Sequence, residues 1–203
     1  MSYVIAHRAN GSKFKENTIN AILEVINYSY IDGIEIDIRM TKDKKFILSH
    51  NNYFITKDNN IKKISNMTYK EIKKYKTFTL LEDVLKKLNT NKFILLDLKI
   101  SNKDTYRKNL MRIIKKYSNK YYLCSFDYDF ILDLKKRYPY YKSGYLKGYL
   151  INNKKDKSIL DFVFSHYIEF KDEDGIWTVN KKDDINRFKN KDIFIITDKP
   201  ELF

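Results

Sequence analysis

The 203-residue sequence is poor in the residues that mark several protein classes: it has one cysteine, Cys124, two prolines, five glycines and three histidines. A lone cysteine excludes an internal disulfide, and no cleavable leader is read at the N-terminus, so the expected compartment is the cytoplasm. Scarce Gly and Pro exclude collagen-like and low-complexity architectures, while 43% hydrophobic residues exclude disorder over most of the length. No apolar run approaches the ~20 residues needed to cross a bilayer, because Asp, Lys or Arg interrupts every candidate. A glycine-rich phosphate-binding turn is also missing, which argues against a doubly wound nucleotide-binding sheet.

In their place stand Lys, Ile, Asn and Tyr, which supply 96 of the 203 residues, the bias of an AT-rich coding sequence. The net charge of +14 would ordinarily suggest a polyanionic partner or an anionic membrane surface. Only six of the 40 basic residues are Arg, no long basic block occurs, and Asp and Glu are interleaved throughout. No specific nucleic-acid partner is therefore expected. Attraction for phosphorylated substrates and a peripheral contact with anionic membranes remain as expectations, and the oligomeric state is open.

The length suits one domain over residues 1–203. Apolar strand-like runs at Tyr3–His7, Ile34–Met40, Phe46–His50, Phe93–Lys99, Tyr121–Phe126, Lys142–Tyr149, Phe162–Ile168, Ile176–Asn180 and Ile193–Asp198 alternate with helix-like stretches at about 16–31, 68–75, 80–89, 103–118, 128–137 and 183–189. This is an α/β pattern with eight strands plus one, enough for a β/α barrel. The extra strand, Phe46–His50, follows Ile34–Met40 so closely that the two are expected to form a hairpin. The loops 51–67 and 150–160 carry no readable signal.

The informative residues sit where strands end. In Ile34–Arg39 a period of two puts the isoleucines on one face and Glu35, Asp37 and Arg39 on the other. In Phe93–Lys99 the same arithmetic groups Leu95, Asp97 and Lys99. The first strand runs into His7 and Arg8, and the hairpin strand ends on His50. A barrel gathers the carboxyl ends of its strands at one mouth, so His7, Arg8, Glu35, Asp37, His50, Asp97 and Lys99 share an address. Any one of them alone reads as ordinary surface or packing. Together they place acids inside the most apolar strands, which is costly unless the acids are paired or metal-bound.

The segments IAHRANGSKFKENT, IEIDIRMTKD, ILSH, TLLEDVLKKL, LLDLK, SFD, WTVN and ITDKP, in this order over residues 3–200, resemble the glycerophosphodiester phosphodiesterase family of the phospholipase C-like phosphodiesterase superfamily. The resemblance implies a TIM-type barrel that hydrolyses a glycerophosphodiester to glycerol 3-phosphate and an alcohol. It implies one divalent cation, Ca²⁺ or Mg²⁺, on Glu35, Asp37 and Asp97, and residue chemistry agrees, since an all-oxygen ligand set suits a hard cation. Two such carboxylates ~4 Å apart repel by about 4 kcal/mol at an effective dielectric of ~20, so an empty site should take up a proton or fill.

By the same resemblance His7 and His50 are the general acid/base pair, and Arg8 and Lys99 bind the phosphate. The attack is by the neighbouring glycerol hydroxyl through a cyclic phosphate, or direct. Trp177 is implied as a substrate wall, equally readable as barrel packing. Asn17 approaches the site, Glu16 orients Arg8, and Thr18 reads as a helix cap. His166 and Cys124 match no motif and are assigned to packing or surface.

Three positions depart from the family pattern: Ala9 where glycine is usual, Asn51 where an acid is usual, and Asp97 where Glu is commoner. The DxK strand is instead similar to phospholipase D toxins of the superfamily, which keeps open a lysophospholipid or glycerophosphate-polymer substrate. An inactive phosphate-binding barrel is the remaining alternative. Only seven residues separate Ile168 from Ile176, so the barrel is expected to be compact and to lack a crossover helix near 169–175.

Overall fold

The structure is a computed structural model that describes residues 1–150 and 158–203; of the loop 150–160, residues 151–157 lie outside the described residues. Eight parallel strands close into a ring: β1 (Tyr3–Ala6), β2 (Gly33–Met40), β6 (Phe93–Leu98), β7 (Lys120–Ser125), β8 (Lys142–Leu146), β9 (Phe162–His166), β10 (Gly175–Trp177) and β11 (Phe194–Thr197). Closure is made by β1, which pairs with β11 on one side and β2 on the other. The expected extra strand is β3 (Phe46–Leu48), antiparallel on β2 outside the ring. This is the TIM-type barrel that the strand count and polar endings foretold.

The outward faces of the strands carry Ile34, Ile36, Ile38, Ile94, Leu96 and Leu123, all fully buried under helices. Those helices are α1 (Ile19–Val25), α3 (Leu81–Lys87), α4 (Lys103–Ile114) and α5 (Tyr128–Arg137), with α6 (Lys182–Phe188) covering β10 and β11. Side-chain caps start several of them: Thr18 accepts from Ala21 N, Asn102 from Thr105 N and Asp127 from Phe130 N. The long stretches predicted for residues 16–31 and 103–118 are shorter in the structure, because the chain before Thr18 turns toward the barrel mouth and α4 stops at Ile114. As expected, β9 passes to β10 through a 3₁₀ turn (Tyr167–Glu169) without a crossover helix.

The inward face changes character along the axis. Low in the barrel Ile5, Phe93, Leu95, Phe162, Phe164 and Phe194 form an aromatic plug. Its large rings are accommodated by glycines on neighbouring strands. A Cβ on Gly33 would lie 2.6 Å from the Phe93 ring, one on Gly144 2.1 Å from Phe162 and one on Gly175 2.7 Å from Phe164. Pairing large with none across adjacent strands packs a narrow interior without strain.

The strand ends are trimmed relative to expectation. His7 lies in a 3₁₀ turn (His7–Ala9) just past β1, and His50 lies two residues past β3. The segment 51–67 is not a featureless loop: β4 (Tyr53–Ile55) and β5 (Ile61–Lys63) form an antiparallel hairpin, followed by a 3₁₀ turn and α2 (Tyr69–Lys73). Phe54, Ile64 and Ile72 anchor it against Ile47 in a small separate core. No helix among the described residues is long and apolar enough to cross a membrane.

Candidate active site

Register brings the acids together. In the parallel β2–β6 pair Asp37 stands directly beside Asp97, and Glu35 beside Leu95, one strand spacing apart. One oxygen from each of Glu35, Asp37 and Asp97 lies within 4.8 Å of the others, and all three residues are buried. Asp97 Oδ1 has no hydrogen-bond partner among the described residues. An orphaned buried carboxylate oxygen in an all-oxygen cluster fits a hard divalent cation.

The electrostatics agree. Burial, reinforced by Asp37 and Asp97, pushes the Glu35 carboxyl well above the usual range. Burial raises Asp97 to about 6, although Lys99 opposes the shift. Asp37 moves the other way, because Lys99, Arg8 and the Asn17 amide outweigh its burial. Lys99 Nζ lies 2.6 Å from Asp97 Oδ2 and 3.2 Å from Asp37 Oδ1, so the lysine expected on phosphate also neutralises two of the three acids.

Arg8 has φ of 53° and Ala9 of 56°, both left-handed. The turn aims Arg8 N at Glu35 Oε2, 2.9 Å away, and brings the guanidinium over the cluster, with Nε 3.1 Å from Asp37 Oδ2 and Nη1 3.3 Å from Glu16 Oε1. Asn17, also left-handed, gives Nδ2 to Asp37 Oδ2 at 3.0 Å and takes the Asp37 backbone N–H at 3.2 Å. Glu16 and Asn17 thus support Arg8 and Asp37, while Thr18 caps α1.

The two histidines are held by different partners. His7 Nδ1 lies 2.7 Å from Asp198 Oδ1, and Nε2 lies 3.9 Å from Glu35 Oε2. Asp198 also accepts from Asn10 and Asn180, and these hydrogen bonds with His7 outweigh burial to hold it at about 2. A carboxylate that stays ionised can only accept, so His7 Nδ1 carries the proton and Nε2 faces the cavity. His50 Nδ1 lies 3.0 Å from Asn51 Oδ1, and burial lowers its pKa. Arg39 fixes the His50 main chain, donating Nε and Nη2 to its carbonyl at 2.9 and 2.6 Å.

A cavity of about 120 Å³ gathers all seven predicted polar residues, His7, Arg8, Glu35, Asp37, His50, Asp97 and Lys99. Phe126, Leu146 and Trp177 form its apolar side. Trp177 meets Phe126 edge-on at 5.5 Å, and its Nε1 is buried without a hydrogen-bond partner among the described residues. His166 packs edge-on against Trp177 at 5.2 Å, and Cys124 is buried in the barrel interior.

Sequence reasoning gave no role to Asp198, Asn180, Arg39 or Phe126, although Asp198 stands in the middle of the ITDKP segment and Asn180 closes the WTVN segment. Their contacts join residues as much as 191 positions apart, and no local spacing signals such pairs.

Comparison with known proteins converges on one family. Residues 7–163 match the model of the Glycerophosphoryl diester phosphodiesterase family. A glycerophosphodiester phosphodiesterase of Caldanaerobacter subterraneus subsp. tengcongensis is 27% identical over 98% of this chain and 94% of its own. A crystal structure of glycerophosphodiester phosphodiesterase from Thermotoga maritima superposes with TM-score 0.82 at 24% identity, covering 100% and 97% of the two chains. An Oleispira antarctica phosphodiesterase, solved in complex with the product sn-glycerol-3-phosphate, gives TM-score 0.83 at 17% identity over 98% and 94%.

Proposed function

The chain belongs to the glycerophosphoryl diester phosphodiesterase family, and from that premise we propose that it hydrolyses a glycerophosphodiester to glycerol 3-phosphate and an alcohol at the barrel mouth. The observation that carries this reading is the convergence of His7, His50, Arg8, Lys99 and three buried acids on one cavity.

Glu35, Asp37 and Asp97 would hold the divalent cation, with Asp97 Oδ1 lacking a hydrogen-bond partner among the described residues. When bound, that cation supplies positive charge against the phosphate and its attacking oxygen. The remaining work falls to the chain. Arg8 and Lys99 face the cavity and would hold the nonbridging phosphate oxygens, supporting the negative charge that grows as phosphorus becomes five-coordinate.

The lowered pKa of His50 suits it to accept the proton of the attacking hydroxyl, and His7, carrying a proton on each ring nitrogen with Nδ1–H held by Asp198, would give its Nε2 proton to the departing alkoxide. Asp198 supports this assignment by keeping His7 Nε2 directed inward. Phe126 and Trp177 offer an apolar wall to the glycerol or alcohol group, with the indole N–H as a spare donor.

The test is phosphorus NMR of the protein with glycerophosphocholine and a lysophospholipid, in excess Ca²⁺ or Mg²⁺ and again with chelator. Chelator-sensitive release of glycerol 3-phosphate is expected. A cyclic phosphate persisting from the lipid would move the reading to the toxin-like chemistry, and unchanged turnover in chelator would remove the cation from it.

A further inference from the structure

The β4–β5 hairpin stands beside the mouth with an apolar face in water. Its register pairs Ile55 with Ile61 and Tyr53 with Lys63 across the strands, so the four side chains share one face. Ile61 is 71% exposed, Ile55 60% and Tyr53 52%, whereas Phe54 on the opposite face is 3% exposed and anchored in its own small core. Scattered exposed isoleucines are unremarkable on a protein surface; a cross-strand pair at a hairpin tip, backed by a packed underside, is a built feature.

The charge of the hairpin segment is predominantly positive. Within residues 51–65 the charged side chains are Lys57, Lys62, Lys63 and a single acid, Asp58. None of the three lysines has an ion-pair partner among the described residues. Tyr53 also lines a cleft of about 260 Å³ with Lys15, Lys76 and His50, and His50 lines the catalytic cavity as well. The hairpin therefore flanks an approach to the proposed site.

We infer that the β4–β5 hairpin docks the protein on an anionic lipid surface, with Ile55 and Ile61 entering the headgroup region and Lys57 and Lys63 meeting the lipid phosphates. Two physical points favour a bilayer over a protein partner. Lysine is depleted from the cores of protein interfaces, yet here Lys63 shares the apolar face and Lys57 stands in the turn beside it. A bilayer also accepts a convex apolar tip without a matching groove, while long lysine stems lie along the interface and keep their charge in water. This goes beyond the hydrolysis proposed above, because the surface is bound outside the cavity.

The experiment is vesicle flotation of the full chain with phosphatidylglycerol/phosphatidylcholine vesicles and with pure phosphatidylcholine, alongside turnover of soluble glycerophosphocholine. Wild type is expected to float with the anionic vesicles. The Ile55→Ser/Ile61→Ser variant should bind them at least ~10-fold more weakly. Lys57→Gln/Lys63→Gln should lose about fivefold per lysine, and only on anionic vesicles.

Both variants should melt and turn over the soluble diester as wild type does. Wild type that fails to float, or a serine variant that floats equally well, overturns the inference. So does a soluble acidic protein that displaces the vesicles and binds the serine variant undiminished. Loss of soluble turnover with flotation intact strikes the functional reading and upholds the docking.

Discussion

The two ends of the barrel use aspartate in opposite ways. At the bottom, Asp32, Asp161 and Asp174 each immediately precede a strand, and each accepts a backbone N–H from the strand before it in the ring. Asp32 takes Val4 N at 2.7 Å, Asp161 takes Ser143 N at 2.8 Å and Asp174 takes Val163 N at 2.8 Å. These carboxylates satisfy donors that the strand starts leave open. At the top, Glu35, Asp37 and Asp97 crowd one another, and one oxygen has no partner among the described residues. The same chemical group is a finished contact at one end and unfinished at the other. What points to function is the acid whose surroundings remain incomplete.

The largest expected effect separates the ends most sharply. His7→Ala removes the proposed acid at the top and should lower kcat by ~10²–10⁴, while the lost hydrogen bond to Asp198 costs up to about 1.5–3 kcal/mol of stability and leaves the chain folded. Steady-state kinetics and a melting curve on the same preparation check both halves. A variant that keeps full turnover would end the assignment of His7.

Arg39 tests whether the top also contains a contact of the bottom kind, since its guanidinium holds the His50 carbonyl with two hydrogen bonds. Hydrogen bonds to charged groups are worth about 1.5–3 kcal/mol, so Arg39→Ala should lower kcat by ~10–100-fold through a misplaced His50, with KM little changed. Arg39→Lys should recover only part of this, because an ammonium cannot reproduce the guanidinium fork. A purely structural Arg39 would instead lower the melting temperature and leave kcat alone.

Asp161 tests the bottom. Lys135 Nζ is 2.7 Å away and Lys142 Nζ 3.2 Å, and together with the Ser143 N–H they outweigh burial and lower its pKa. A carboxyl whose folded pKa lies below its unfolded value stabilises the fold above the unfolded value, near 3.9, and loses that contribution as pH falls through the folded one. Asp161→Asn should therefore cost about 1–3 kcal/mol at pH 7, with the gap to wild type closing below about pH 4. Denaturant melts at pH 3, 5 and 7 measure this, and kcat should not move.

The contrast between the ends also explains what could be read beforehand. The top acids were legible because a period of two exposes Glu35, Asp37 and Asp97 as interruptions of isoleucine- and leucine-rich strands. The bottom aspartates were not, since an Asp before a strand looks like any turn residue until the neighbouring strand's N–H is known. Asp198 was hidden for the same reason, its partner being His7 at the far end of the chain. Gly33, Gly144 and Gly175 read as weak strand residues until the rings of Phe93, Phe162 and Phe164 are set against them. The Tyr53–Ile55 strand alternates over only three residues, too short a run for its period to stand out from the Asn- and Lys-rich loop around it.

The smallest effect concerns backbone strain, which the top carries in the left-handed Arg8, Ala9 and Asn17. Ala9 is fully buried in this conformation, and a left-handed alanine costs roughly 1–2 kcal/mol. Ala9→Gly relieves that strain, loses a buried methyl worth about 0.8 kcal/mol and gains the unfolded-state freedom of glycine, worth about 0.5–1 kcal/mol, so stability should scarcely change. Ala21 is equally buried but lies in α1, where glycine also carries a helix penalty of about 1 kcal/mol. Ala21→Gly should therefore destabilise by about 1.5–2 kcal/mol, and the difference between the two exchanges isolates the strain held at the mouth. Equal losses at both positions would mean that Ala9 carries no such strain and that its turn is set by the contacts of Arg8 alone.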